Sequence, residues 1–481
     1  MTERVVVIMS LQSEKSVPTT QPKETPRLLS RKEALALGAA AAAATAIGPA
    51  VVAEAASAGR ELARVTASPV TLTFINRYSD KIGLPAATAL FTKFTKETGI
   101  TIKDDYQPNS GATYQPAVRT AFASSTPPDL ASDIAGPEIY NLARAGVIRD
   151  ISDFYRTSIR SRATSGATTG AELDGKIWGL SNGAAVGNIL WYNPDYLKKY
   201  GLDGSSVHTW SGWLRQLQAI KKGGGTPIVL GAKDLWPGGH YLTDLVQRTL
   251  GDQKTAALYN RTVVPGSPAT PKWTDPAVVK AFQMLVDLTP YFQPGFPGEA
   301  QATADALFLS GQAGWYEMGS WFTNTILAQK PSFTPGMILF PAIEGYPGSQ
   351  RQVTIANDII VASKKSPYWD EIKKWYLFMT RPDNARFWSQ SNHTAMPYTF
   401  DAHGLSVEPA IKPIFSKVLG FLSNAGPDGA VLFNDEAVDV NMYTKYIWQG
   451  STALFSNALT AQALCAQLEA ATETFQKGHK R

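Results

Sequence analysis

Apolar runs of strand length alternate along the chain with amphipathic segments of helical spacing, and glycines or prolines separate them. Val70 to Ile75 is an apolar-rich run that predicts a strand. Ala86, Ala89, Leu90 and Phe94 then recur at helical spacing, and Gly99 stops that helix. Ile100 to Asp105 begins a second strand, so the chain opens with a βα unit of the kind that starts an open α/β sheet. Helices are predicted over 114–124 and 139–145. Another opens at Thr209-Trp210 and carries Trp213, Leu217 and Ile220 on one face. Thr274-Asp275-Pro276 reads as a helix N-cap with proline just inside, and Val278, Phe282 and Leu285 as the buried face behind it. Further strands are predicted at 226–230, 313–318, 337–340 and 353–363. Trp369, Ile372, Trp375, Tyr376 and Met379 fall in register on a helix over 368–379 and predict a core face. Residues 440–478 read as a helical tail.

The stretch from Phe308 to Asn324 carries the densest signal. Phe308 and Leu309 close a helix, Gly311 suits its C′ position, and Ala313 to Met318 is a short strand with two aromatics. Gly319-Ser320-Trp321 stands where that strand hands over to the next helix, and ligands of open α/β sheets bind at such turns. By spacing alone Trp321 suits either a core position beside a turn or a flat apolar face for a ligand. The loop after the first strand, Asn76 to Asp80, offers Arg77 and Asp80 for charge-assisted hydrogen bonds and Tyr78 for stacking. Asp174-Gly175 predicts a tight hairpin turn. Asn182, between the two extended runs that follow, offers a hydroxyl both a donor and an acceptor.

Composition narrows the function classes. The net charge of +5 over 481 residues is dispersed, with no basic run longer than a pair of lysines, which argues against a nucleic-acid binder. A single cysteine, Cys465, excludes an intrachain disulfide and a cysteine-based metal site; no metal or cofactor is expected. Twelve tryptophans and eighteen tyrosines suit both large cores and stacking against the C–H faces of sugars. Residues 1–58 read as an export signal: Arg27, Arg31 and Lys32 precede an Ala-rich apolar run, and Ala56-Ser57-Ala58 fits a cleavage site. Ser30 to Leu35 resembles a twin-arginine (Tat) motif with lysine in the second place, which leaves the export route open. With no cysteine near residue 58, a lipid-anchored lipoprotein is not expected.

Six segments, in order, resemble those of family 1 extracellular solute-binding proteins, the maltose-binding type that serves ABC importers. They include LTFINRYSD…FTKFTKETGI, the Pro128-Asp129-Leu130 turn, and LDGKIWGL with its following Tyr192-Asn193-Pro194-Asp195. The Thr209-Trp210 helix start, FxxGxAxxxxxGSW ending at Trp321, and Met396-Pro397 complete the set. Ser125 and Ser181 depart from the glycine and proline usual in the family. The resemblance implies a two-lobed α/β fold of the periplasmic-binding-protein type II class, each lobe an open, mainly parallel sheet flanked by helices. Residues 69–184 with 356–398 would form the N-terminal lobe and 185–355 with 399–481 the C-terminal lobe, with hinge strands near 182–192 and 352–360. Ligand contacts are expected from Arg77, Tyr78, Asp80, Asp133, Glu138, Asn182, Trp236, Trp321, Asn357 and Asp358. His240, beside Trp236, reads more readily as a helix-start residue than as a ligand contact. Tyr443 and Trp448 are not included among the expected contacts. The implied function is capture of a neutral sugar or oligosaccharide, rather than a phosphorylated one, by a monomeric exported protein that delivers it to a membrane permease. Two alternatives remain. A secreted glycoside hydrolase would use a carboxylate pair such as Asp133/Glu138 or Glu317/Asp358. A receptor for a sensor kinase would share the same fold.

Overall fold

Ten strands build two sheets in the computed structural model, which describes residues 70–478 except 79, 108–112, 401–404 and 424–429. The expected export segment, 1–58, lies outside the described residues. In chain order the strands are β1 (Thr71–Asn76), β2 (Thr101–Tyr106), β3 (Leu130–Ile134), β4 (Gly179–Val186) and β5 (Ile189–Tyr192). They continue with β6 (Ile228–Val229), β7 (Trp315–Glu317), β8 (Gly336–Leu339), β9 (Val353–Ala362) and β10 (Ala430–Leu432). The first sheet has the order β10-β9-β3-β1-β2, with β4 paired to the other edge of β9. The second has the order β8-β5-β7-β6. From Leu72 onward these elements fall in one compact unit.

Both sheets are mixed. β1 and β3 pair parallel, as a βα succession requires, but β9 enters antiparallel to β3 and β4. In the second sheet β5 runs antiparallel to both β7 and β8, and only β6 with β7 is parallel. The chain leaves the first sheet through β4 and re-enters it through β9, which runs opposite to β3 and β4 and parallel to β10.

The passage between the sheets is held by buried polar groups. β4 continues through Gly187 and Asn188 into β5, and 340–352 links β8 back to β9. Asn188 donates to the Gln352 carbonyl at 2.9 Å and accepts from the Thr354 amide at 2.9 Å. The fully buried Arg248 donates to the Phe340 carbonyl through Nε at 3.1 Å and Nη2 at 2.9 Å, and to the Gln352 carbonyl at 3.1 Å. Buried backbone carbonyls need such partners, and here one side chain ties both ends of the return segment.

Helices cover both sheets, and four of them position the cleft: α1 (Gly83–Thr98), α2 (Trp236–Leu250), α3 (Phe322–Gln329) and α4 (Pro382–Asn392). α1 ends at Gly99 in the left-handed region, φ 73°, as the sequence predicts. The Asp174-Gly175 turn has φ of 53° and 72°, matching the predicted hairpin between Glu172–Leu173 and Lys176–Ile177. The aromatic helix Trp369–Met379 buries Trp375 against Phe74, Phe91 and Phe94, as its spacing predicts. Trp369 departs from that expectation: it sits at the rim, half-buried, with the Arg149 guanidinium 5.0 Å over its ring. Among the described residues, no helix is long and apolar enough to cross a membrane.

Candidate functional site

A cavity of 310 Å³ opens between the two halves, at the lower end of the ~300–1,000 Å³ typical of ligand pockets. The first sheet contributes Arg77, Tyr78 and Asp80 from the loop after β1, and Asp358 from β9. The second half contributes Trp236 and His240 from α2, and Trp321 and Asn324 at the start of α3. The turn after β10 adds Phe433, Asp435 and Glu436, and Trp448 completes the wall.

Local backbone features aim these side chains. β4 and β9 pair in antiparallel register until Asp358 and Ile359, which face Gly183 and Ser181; Asn182 is the extra residue of a bulge. Asp358 stands at that irregularity, and Arg77 binds it at 2.9 Å. Burial pushes the Asp358 pKa up, and Arg77 offsets only part of that shift. Asp80 Oδ1 accepts from the Ile82 and Gly83 amides at 2.9 and 2.7 Å, which fixes the carboxylate at the head of α1. Asn324 Nδ2 reaches the same oxygen at 3.5 Å from the other half, and its Oδ1 faces His393 Nδ1 at 2.7 Å. Leu235, held at φ 68°, precedes Trp236 and turns the chain into α2.

The opposite wall is aromatic. Trp236 and Trp321 meet edge to face at 6.2 Å, His240 stacks on Phe433 at 3.7 Å, and Trp321 lies 6.2 Å from Phe433. The Trp321 indole N–H points to the Met318 sulfur at 3.0 Å, which sets the ring's rotation. His240 Nε2 lies 3.4 Å from Asp435 Oδ2. Glu436 accepts from the Asn357 amide at 2.9 Å, and burial raises its pKa well above the ordinary carboxylate value.

The sequence profile of the bacterial extracellular solute-binding proteins matches residues 79–386. The chain belongs to that family. An uncharacterised ABC transporter extracellular-binding protein of Pyrococcus horikoshii is 24% identical over 295 residues, 60% of this chain and 63% of the relative. A second from the same organism is 30% identical over 162 residues, 32% of this chain and 35% of the relative. The matches thus span less than two thirds of either relative. The fold is similar to that of a protein solved in a study of xylan utilisation by Caldanaerobius polysaccharolyticus, with TM-score 0.73 and 21% identity over 83% of this chain and 99% of that one. A chitin oligosaccharide binding protein is similar to the same degree, with TM-score 0.73 and 21% identity over 86% of this chain and 100% of the other.

In this solute-binding protein six of the ten expected contact residues line the cavity: Arg77, Tyr78, Asp80, Trp236, Trp321 and Asp358. The other four stand behind its wall. Asn182 donates to the Tyr78 hydroxyl and so backs that ring. Asn357 is spent on Ser181, whose hydroxyl donates to it at 2.6 Å, and on the Thr169 carbonyl at 2.8 Å. Asp133 is fully buried in β3, and Glu138 is held between Arg119 at 2.5 Å and the Tyr443 hydroxyl at 2.8 Å. The strand end placed Asp133 and Glu138 in the right region, but Asp133 alternates with the cavity-lining Ile134 and so points to the other face of the sheet, and Glu138, on the helix Pro137–Arg144, is buried by its two partners. The hydrolase pairs fail by position: Asp133, Glu138 and Glu317 are buried off the cavity, and of these four carboxylates Asp358 alone lines it.

Sequence reasoning omitted Phe433, Asp435, Glu436 and Trp448, and set His240 lower than a structural residue. The signal available was the short apolar run Ala430 to Leu432 followed by Phe-Asn-Asp-Glu, a strand end with polar groups after it. Asn324 closes the densest stretch of the sequence yet was not singled out, and His393, which it contacts, carries no local signal.

Proposed function

We propose that the chain captures a carbohydrate without anionic groups in this cleft and delivers it to the membrane permease of an ABC importer. The observation that carries the reading is one cavity with two chemically different walls, one from each half. Trp236, Trp321 and Phe433 offer apolar faces to sugar C–H groups, and Arg77, Asp80 and Asp358 oppose them with hydrogen-bonding groups. Neighbours of similar fold include a raffinose complex and a maltose-bound protein, which supports a sugar as the ligand class. Arg77 is the one lysine or arginine among the described lining residues, and Asp358 occupies it, so a phosphate would find no unengaged partner.

The lobes divide at 184/185 and 355/356, with 399–481 returning to the second lobe, and residues 1–58 act as the export signal. A ligand that touches both walls couples them, so closure and binding reinforce each other. The protein works as a monomer, since one chain supplies both walls. A thermal-shift screen of the exported protein against mono-, di- and oligosaccharides and polyols tests this. The expected result is a large shift for one compound that chromatography recovers unchanged. Appearance of cleavage products would overturn the binding role, and no shift with any carbohydrate would overturn the ligand class.

A further inference from the structure

The charge inside the cleft is unbalanced. Asp80, Asp358, Asp435 and Glu436 line it against a single guanidinium, Arg77, already bound to Asp358. Two histidines also line it. Burial lowers the His393 pKa, although Glu408 opposes the shift, and His240 meets one oxygen of Asp435. Two of the four carboxylates are neighbours, Asp435 and Glu436, in the turn after β10. There Asp435 Oδ1 and His240 Nδ1 are buried without a hydrogen-bond partner among the described residues, as is the Trp448 indole N–H, a donor that a sugar oxygen rather than an amine would meet. Buried polar atoms without partners are costly, and a cluster of them in a ligand cavity marks groups that bind something from outside the chain.

We infer that the ligand carries a protonated amine, seated against Asp435 and Glu436 beside the Trp448 ring, and is an amino sugar of one or two rings. This rests on the carbohydrate reading and narrows it. An ammonium brings three donors and the counter-charge that Asp435 and Glu436 lack. A hydroxyl brings a donor but no charge, and a carboxylate or phosphate adds repulsion. The aromatic wall fits the same cation, because Trp and Phe faces attract ammonium groups within about 6 Å. A bare metal ion fits poorly: among the described residues no group of three or more His, Cys, Asp or Glu side chains is placed to hold one. Glu436 agrees with this picture. Burial and the neighbouring Asp435 hold its pKa well up, a cost that an adjacent ammonium relieves.

The test is isothermal titration of the full exported protein with matched sets of sugars on glucose, galactose and mannose frames, as mono- and disaccharides. Each set holds the neutral sugar, its 2-amino form, the N-acetylated amine and the uronic acid. The amine is expected to bind at least about tenfold tighter than its neutral and N-acetylated counterparts, the scale of one hydrogen bond to a charged group. The uronic acid is expected not to bind. In Asp435→Asn the ratio of amine to neutral affinity is expected to fall towards one. Neutral or acetylated sugars binding as tightly as the amine would overturn the inference while leaving the carbohydrate reading in place. Failure of every sugar in the panel to bind would overturn both. The wild-type comparison stands by itself if the variant does not fold.

Discussion

Replacing Trp321 by alanine isolates the stacking wall from the rest of the cleft. The indole packs on Trp236 at 6.2 Å, His240 at 6.0 Å and Phe433 at 6.2 Å, and its N–H rests on Met318. Those contacts hold one edge and leave a face to the cavity. A sugar C–H face against an indole contributes about 0.5–1.5 kcal/mol, by analogy with aromatic pairs. Covering roughly 50 Å² of apolar surface adds about 1.2 kcal/mol at ~25 cal/mol per Å². The sum, about 1.7–2.7 kcal/mol, corresponds to a Kd raised roughly 20- to 100-fold. The fold is expected to lose less than a core substitution would, about 2 kcal/mol, because the ring is only half-buried. Titration calorimetry with the carbohydrate from the screen reads the affinity, and near-ultraviolet circular dichroism checks the packing. Trp321→Phe should recover most of the loss. An alanine variant that is folded and binds within about twofold of the parent would refute the stacking argument.

Three further outcomes follow from buried groups. Arg248→Met should lower stability by about 1–3 kcal/mol in urea unfolding, because it leaves the buried Phe340 carbonyl without its side-chain donor; an unchanged midpoint would show that the return segment is held by other contacts. Gly136→Ala should lower the melting temperature and weaken ligand binding together. Gly136 sits at φ 80°, and a Cβ there would lie 1.8 Å from the Glu436 carbonyl oxygen, so strain of at least about 2 kcal/mol and displacement of the cleft wall coincide. Burial pushes Asp305 up to about 7, although the Tyr316 hydroxyl donates to it at 2.7 Å. The folded state therefore keeps a proton that the unfolded chain releases above about pH 4, and stability falls as pH rises from there through about 7. Urea-unfolding free energies at pH 5 and pH 8 should differ less in Asp305→Asn than in the parent, by a ceiling of about 2.5 kcal/mol.

The local parts of this fold were legible because each depends on a few neighbouring residues. The βα opening follows from apolar spacing, the ends of helices from Gly99 and Gly311, and the hairpin from Asp174-Gly175. The site was legible where a strand or loop end carried its own chemistry, as with Arg77, Tyr78 and Asp80 after β1 and Trp321 after β7. At these turns chain direction alone decides which end of the sheet a residue occupies.

What the sequence could not decide is which way a side chain faces once several strands compete for it. Asp133 and Asp358 look alike along the chain, both polar residues at strand positions. Asp358 faces Ile134 across the β3–β9 pair and both line the cavity, whereas Asp133, one residue before Ile134, points to the other face of the sheet and is buried. Asp435 and Glu436 reach the cleft only because β10 pairs with the first residues of β9, over 70 positions earlier in the chain. The acid excess of the cavity likewise exists only after folding: the whole chain carries +5, while its cleft gathers four carboxylates around one arginine. Sequence determined the elements, their order and the family; pairing between distant strands determined which charges meet.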